Sequence, residues 1–426
     1  MERLLNNLLP AGFGKSFGPG LMWAAAAVGV SHLVQSTRVG AAAGFALAGV
    51  ILVAMILKYP FFEYGHRYAA ATGTSLVEGY RQIGGWALWL YFLLTLVTSL
   101  IHQSALVLFT SYLIRYMLGL SWPLAAIGAL LYVGCGLLLA VGRFRGFDLV
   151  VKVVMAILAL STLAAAAVAL ERANFSTLTL WPAEGFGDAV SLGFILALVG
   201  FMPSPIEVSV MSSLWTLAKG RASGHRASLA AARLDFDIGY IGTAILAFAF
   251  LLLGAVVMHG AGRQFSPEGT VFSVQLVGLY TSTLGGWTRP MVLVAAVTTM
   301  FSTVLIVIDG FPRAIERCLH NLRSGAGVPA ADLPVGRGYW ATMIVLGALT
   351  ITVLSSFTGS LTAMVDFATI FTFMTAPVLG YLNLRAVNSE DVAPEHQPSW
   401  ILLAVSYVGL VLLSGTALVY LGSKLL

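Results

Sequence analysis

The sequence alternates between long apolar segments and short polar connections. A helix of about 20 mainly apolar residues can cross the hydrocarbon core of a bilayer, and this length predicts about eleven transmembrane helices in the 426-residue chain. The predicted spans cover approximately residues 19–43, 45–69, 86–117, 121–142, 147–170, 189–216, 234–258, 288–312, 339–357, 362–383 and 399–422. The pattern therefore predicts an all-α polytopic membrane protein.

Composition supports this fold class. Hydrophobic residues make up 58% of the chain and charged residues 10%, whereas soluble domains are about 25% charged. The two cysteines, Cys135 and Cys318, lie far apart in or beside apolar spans. We therefore expect neither a disulfide nor a cysteine-based metal site.

The basic residues set the expected orientation. With the N-terminus in the cytoplasm, most of the 23 Lys and Arg residues fall on the cytoplasmic side, which predicts an outer C-terminus. Basic cytoplasmic loops also explain the formal net charge of +5 without a nucleic-acid partner. Residues 1–17 are polar and broken by proline, which is typical of a cytoplasmic lead-in rather than a cleaved signal peptide. We expect a plasma membrane, in particular a bacterial inner membrane, since no long tails of eukaryotic type flank the spans.

Two predicted spans are interrupted at matching places. The first carries GVSH at 29–32, and the sixth carries MPSP at 202–205. Proline removes a backbone donor and clashes with the preceding turn, so the sixth helix should stop there. The freed carbonyls must be buried in protein or line a wet cavity. A break near the start of each of two five-span halves is typical of an inverted-repeat transporter that binds its substrate at the midplane. The alternative is a pair of simple kinks.

Four stretches resemble the Nramp family of metal transporters. They are FGPGLMWAAAAVGVSHLVQSTRVGA, RYAAATGTSLVEGYRQ, GFMPSPIEVSV and FSTVLIVIDGFPRAI. The similarity extends approximately over residues 17–383. It implies a LeuT-like fold in which residues 18–170 (spans 1–5) and 189–383 (spans 6–10) are inverted repeats, with residues 399–422 as an accessory span.

The resemblance also implies a binding site. The family carries an Asp-Pro-Gly-Asn motif at the first break, and alignment places Gly29 at its Asp and His32 at its Asn. Met202 matches the family's metal-binding methionine, and Val199 lies where a residue offers its backbone carbonyl. The family's sixth-helix histidine falls on Ser209.

The resemblance places further family positions on polar residues outside the breaks. The acidic residues of the third helix fall around His102 and Gln103, which could extend a polar path from the centre or form packing hydrogen bonds. Asp309 matches an acidic position of the eighth helix, and it could equally cap the turn that follows it.

The side chains at the breaks point to a transition metal. Neutral imidazole from His32 and the thioether of Met202 are ligands that favour such a metal over Mg²⁺ or Ca²⁺. Ser31, Gln35 and Ser204 add polar groups around the breaks. The alternatives are a helix-bridging hydrogen bond for His32 and a packing role for Met202.

Charged residues within the spans are candidates for coupling or gating. We predict an ion pair between Arg38 and Glu207, since each charge is tolerable in a low dielectric only beside its partner. An Arg38 that faced the cavity would instead favour an anion. Asp366, in the tenth span, is a better coupling candidate than Asp309 because no local turn explains it.

The sequence predicts no transport role for three more charged residues. We expect Lys58 and Glu63 to pair with each other or to extend to the membrane interface. Asp235 is interpreted as a helix-start residue.

Together these features predict a secondary-active, alternating-access transporter of a divalent transition-metal ion such as Mn²⁺ or Fe²⁺, with altered or absent proton coupling. Its partners would be the lipid bilayer and the transported ion, with no cofactor. The alternative is the same fold carrying a non-metal solute or anion, because the first break lacks a carboxylate. A sensor or scaffold is a third hypothesis. An enzyme is not expected, because no nucleophile–base pair, phosphate loop or HExxH motif is present.

Overall fold

The computed structural model describes residues 10, 12–141, 144–171, 173, 179–181, 190–323, 336–357 and 359–425. Most of the predicted lead-in at 1–17 and the predicted start of the sixth span at 189 lie outside the described residues. The principal helices, in chain order, are α1 (Pro19–Ala27), α2 (Thr37–Ala43), α3 (Ala48–Thr72), α4 (Leu76–Ile83), α5 (Gly85–Leu118), α6 (Leu124–Ala140), α7 (Phe144–Leu170), α8 (Leu192–Phe201), α9 (Val208–Ser223), α10 (Leu229–Leu253), α11 (Gly269–Leu284), α12 (Arg289–Arg323), α13 (Arg337–Ser356), α14 (Leu361–Val387) and α15 (Trp400–Leu425).

These helices correspond to the predicted spans. Seven described helices are long and apolar enough to cross a membrane, and α6, α8 and residues 156–170 of α7 are shorter apolar helices. Two helices were not predicted separately: α4, which connects the second and third spans, and α11, which precedes the eighth. α12 also continues to Arg323, well beyond the predicted end of the eighth span at 312.

The first span is broken between α1 and a π-helical segment, Ser31–Ser36, that continues into α2. We call residues 28–30 the first break. The amide of Gly29 bonds to the Ala27 carbonyl at 2.9 Å, so the Ala25 carbonyl loses its usual helical donor. The hydroxyl of Thr303, on α12, donates to that carbonyl at 2.9 Å. A side chain of another span therefore satisfies a backbone group that the break sets free.

The sixth span is interrupted more completely. α8 ends at Phe201, α9 begins at Val208, and we call residues 202–207 the second break. Met202 has an extended backbone, with φ −89° and ψ 120°. The prediction of a break at the two prolines is confirmed, and both broken spans lie in the interior of the helix bundle.

Backbone-to-backbone contacts hold the broken spans against their neighbours. A β-carbon at Gly239 of α10 would overlap with the carbonyl of Gly20 in α1. Likewise, a β-carbon at Gly65 of α3 would overlap with the carbonyl of Ser209 in α9. Small residues permit such close approach between membrane helices, where packing rather than the hydrophobic effect drives association.

Asp235 has a different role from the one predicted. It lies in α10, and its carboxylate accepts from the amides of Gly18 at 3.0 Å and Gly20 at 2.7 Å. Those amides belong to the N-cap and first turn of α1, where backbone N–H groups have no helical carbonyl to accept from them. Asp235 therefore caps the first span from another helix and is more than a helix-start residue.

The contact at Gly65 gives a stability test. Gly65→Ala should lower the free energy of unfolding by about 1–3 kcal/mol, because the added methyl forces the two backbones apart. Gly242→Ala, on α10 with open space around the added carbon, should unfold at or slightly above the wild-type temperature. Thermal unfolding in detergent micelles measures both. Equal melting temperatures for Gly65→Ala and the wild type would contradict the close contact.

Candidate functional site

The two breaks lie against one small buried cavity, which we call the central cavity. Its volume is about 30 Å³, enough for about one water molecule. Residues of the first span, α5, α12 and the second break line it, and most of them are apolar. The lining residues with polar or sulfur-bearing side chains are Ser31, His102, Glu207, Met211 and Thr303.

Glu207 is the acidic residue at this cavity. Its side chain is buried, and its Oε1 accepts from the Thr375 hydroxyl at 3.3 Å. Its Oε2 is buried with no hydrogen-bond partner among the described residues. A buried carboxyl oxygen without a partner is costly, so this atom marks a position where a donor or a cation would be stabilised.

The predicted ion pair between Arg38 and Glu207 is wrong. Arg38 instead donates to both carboxylate oxygens of Asp366, at 2.6 and 3.0 Å. It also donates to Gln35 at 3.1 Å, and Gln35 in turn donates to the Ala197 carbonyl at 3.2 Å. We call these residues the Arg38 network. The network joins the second half of the first span to α8 and α14. The charge of Arg38 is tolerated in an apolar span because Asp366, on the distant α14, neutralises it.

Lys58 was also predicted wrongly. Its ammonium lies at the second break and is 1% exposed. It donates to the backbone carbonyls of Val199 at 3.0 Å, Gly200 at 3.1 Å, Met202 at 2.9 Å and Ser204 at 2.9 Å. Glu63 pairs with Arg67 at 2.7 Å, one turn along the same helix. The sequence did contain a signal for this role: Lys58 lies in the middle of an apolar span, where a charge without a partner is rare.

His32 bridges two spans. Its Nε2 lies 2.9 Å from the carbonyl of Thr243 on α10, and Nδ1 lies 2.7 Å from the Ser31 hydroxyl. A carbonyl only accepts, so Nε2 donates to Thr243, and Nδ1 lies within hydrogen-bond distance of both the Ser31 hydroxyl and, at 3.1 Å, the Ala27 carbonyl. This arrangement corresponds to the helix-bridging alternative for His32. The side chain of Met202 is fully buried and does not line the central cavity.

The other candidates lie in three separate places. His102 lines the central cavity and bonds to Thr372 through Nε2. Gln103 accepts from Tyr132 at 2.8 Å, away from the cavity. Asp309 pairs with Arg313 at 2.8 Å.

The remaining predicted binding residues also divide by location. Ser31 lines the central cavity, whereas a β-carbon at Gly29 would press against Thr303. The backbone oxygens of Val199 and Ser204 accept from Lys58. Within the described part of the chain, no group of three or more His, Cys, Asp or Glu residues could hold a metal ion.

Comparison with known proteins identifies the family. The family model for natural resistance-associated macrophage protein-like (Nramp) proteins matches residues 20–423. An uncharacterized protein of Pasteurella multocida is 34% identical over 417 residues, which cover 96% of this chain and 92% of the relative.

Solved structures of low sequence identity share the fold. The manganese transporter of Eremococcus coleocola matches with a TM-score of 0.74 at 14% identity, over 97% of this chain and 87% of that one. MhsT, solved in complex with L-phenylalanine, matches with a TM-score of 0.64 at 15% identity, over 93% of this chain and 98% of that one. Both confirm the LeuT-like fold with its broken first and sixth spans. The chain belongs to the Nramp family, and it is a membrane transporter rather than an enzyme.

Proposed function

We propose that this protein is a secondary-active, alternating-access transporter whose substrate is a divalent transition-metal ion bound in the central cavity. Membership of the Nramp family supports a metal substrate, as does the fold shared with a manganese transporter. The size of the cavity supports a bare ion, because about 30 Å³ admits no organic molecule without rearrangement.

The unpartnered carboxylate oxygen of Glu207 is the observation that carries this proposal. It lies where the two breaks meet, and it supplies the anionic ligand that the first break lacks. The imidazole of His102, the thioether of Met211 and the hydroxyl of Ser31 line the same cavity. Such a mixed oxygen, nitrogen and sulfur set suits Mn²⁺ or Fe²⁺ better than Mg²⁺ or Ca²⁺. His32 then supports Ser31, and Met202 shapes the second break.

Alternating access requires contacts that close each side in turn. With the N-terminus in the cytoplasm of a bacterium, the Arg38 network lies on the outer side of the cavity. On the inner side, Arg317 of α12 pairs with Glu78 of α4 at 2.5 Å. Asp309 and Asp366 each have an arginine partner, so Glu207 is the candidate for releasing a proton to water when the metal binds and taking one up when it leaves.

The role of Glu207 is testable by uptake. Glu207→Gln should lower Mn²⁺ uptake into proteoliposomes at least roughly tenfold, because removing a hydrogen-bonded charge from a binding site costs about 2–5 kcal/mol. Glu395→Gln, in an exposed connection between α14 and α15, is the matched control and should keep wild-type uptake. The metal substrate is excluded if wild-type protein neither accumulates Mn²⁺, Fe²⁺ or Co²⁺ nor releases heat on binding them.

The Arg38 network gives a second test. Asp366→Asn should weaken outer closure and destabilise the protein by about 1–3 kcal/mol, between the values for exposed and buried ion pairs. A Ser31→Cys reporter should then react faster with an impermeant thiol reagent added outside. Cys135 and Cys318 are buried and give a low background. Exchanging the charges, as Arg38→Asp with Asp366→Arg, should restore part of the protection. Unchanged labelling in Asp366→Asn would show that this network does not close the outer path.

A non-metal solute is the second candidate. The ammonium of Lys58 occupies the carbonyls of the second break and places a positive charge near the cavity, which disfavours a dication and favours a neutral or singly charged solute. This candidate would be selected if a small solute raises the melting temperature of the wild type while no heat is released on adding Mn²⁺, Fe²⁺ or Co²⁺.

A further inference from the structure

The second break contains a set of backbone oxygens that surrounds a positive charge supplied by the chain itself. We propose that the carbonyls of Val199, Gly200, Met202 and Ser204 form a monovalent-cation site, and that the Lys58 ammonium is its built-in occupant. This proposal concerns a site separate from the central cavity, and it does not depend on whether the cargo is a metal ion.

The geometry is that of a cation coordinated by carbonyls. Four oxygens lie 2.9–3.1 Å from Nζ of Lys58. An ammonium has three N–H donors, so at least one of them is shared between two oxygens. A spherical ion has no such limit, and convergent carbonyl oxygens are the groups that replace the hydration shell of K⁺ in protein pores.

The dipoles of the backbone carbonyls make every hydrogen bond that Lys58 forms within the described residues, and the Glu207 carboxyl adds a longer-range attraction. In the described part of the chain, no carboxylate oxygen lies in ion-pair contact with Lys58: Glu63 on its own helix pairs with Arg67, and Glu207 at the second break acts from a greater distance. The oxygens belong to the C-terminal end of α8 and the unwound residues after it, where the helix dipole favours a cation. Nζ also lies 5.7 Å from the ring centre of Phe62, a position suited to a cation–π contact. Each of these contacts selects positive charge and would serve a bound ion equally well.

Lys58 reaches this site from a different span. It is part of α3, which packs against α9 through the Gly65 contact. The ammonium therefore connects the second span to the first half of the sixth span, α8, and to the unwound residues of the second break. In this arrangement the break keeps its shape without an ion from solution, and a second cation is repelled from the Val199 and Met202 carbonyls. Lys58 is a positioning residue for the second break.

Two variants separate loss of charge from loss of volume. Lys58→Ala removes the charge and opens room among the four oxygens, whereas Lys58→Met removes the charge and keeps the room filled. Full-length wild type and both variants are purified in detergent, and their thermal unfolding is followed in choline, Na⁺, K⁺ and NH₄⁺ chlorides at equal ionic strength. Choline is too large to enter the site.

We expect both variants to melt below the wild type in choline. K⁺ or NH₄⁺ should raise the melting temperature of Lys58→Ala with a saturable dependence on concentration, recovering roughly half or more of the loss, as mass action predicts for an ion that binds the folded state. The melting temperature of the wild type should not change among the four salts, and neither should the lower melting temperature of Lys58→Met.

Where Lys58→Ala can be purified in choline, two results would overturn the proposal. One is a Lys58→Ala variant that melts at the same temperature in all four salts, and the other is equal rescue of Lys58→Met, which would indicate a general salt effect. If Lys58→Ala does not survive purification in choline, the yields of folded Lys58→Ala purified in NH₄⁺ and in choline are compared instead. Folded protein only in NH₄⁺ supports the proposal, and no folded protein in either salt overturns it. None of these outcomes depends on Mn²⁺ uptake, so the proposed cargo is tested separately.

Discussion

Hydrocarbon cannot hydrogen-bond to a peptide group, and this constraint governs both interruptions in the bundle. A continuous helix satisfies its own backbone, but each break sets carbonyls free in the middle of the molecule. At the first break, the hydroxyl of Thr303 donates a hydrogen bond to the carbonyl of Ala25, and the hydroxyl of Ser31 donates to that of Ala27. At the second break, the ammonium of Lys58 donates hydrogen bonds to four carbonyls. The neighbouring spans are arranged so that these donors reach the breaks.

The two solutions differ because the two breaks differ. Glycine lets the first span deviate briefly before a π-helical segment resumes it, so few carbonyls are left over and single hydroxyls suffice. Two prolines stop the sixth span for a full six residues, 202–207, and the freed oxygens converge. A converging set of oxygens is a strong site for a positive charge. The chain fills it with a lysine, and the acid at the cavity, Glu207, is left without a basic partner in hydrogen-bond contact.

Sequence reasoning succeeded where the cause is local. Span lengths follow from apolar runs, and the second break follows from Pro203 and Pro205, because proline's effect on its own helix needs no knowledge of the rest of the fold. It failed where the cause is a partner far away in the chain. Arg38 pairs with Asp366, 328 residues later, and was assigned to Glu207 because both lie near a break. Asp235 was given a helix-start role because its capping partners, the amides at Gly18 and Gly20, belong to a helix more than 200 residues earlier.

The glycine contacts that the first span makes with α10 and with the residue just after it have a consequence for how the protein can move. The backbone of Gly239 in α10 lies directly against that of Gly20 in α1, and Gly254, the residue after α10, lies in the same way against Thr37 in α2. Contacts of this kind leave no layer of side chains between the backbones, so we expect each half of the broken first span to stay against α10 and Gly254 when the protein moves. The opposite walls of the central cavity, α5 and α12, meet it through side chains such as His102 and Thr303. We therefore expect the cavity to open along those side-chain surfaces, where rotamers can change while the paired backbones stay together.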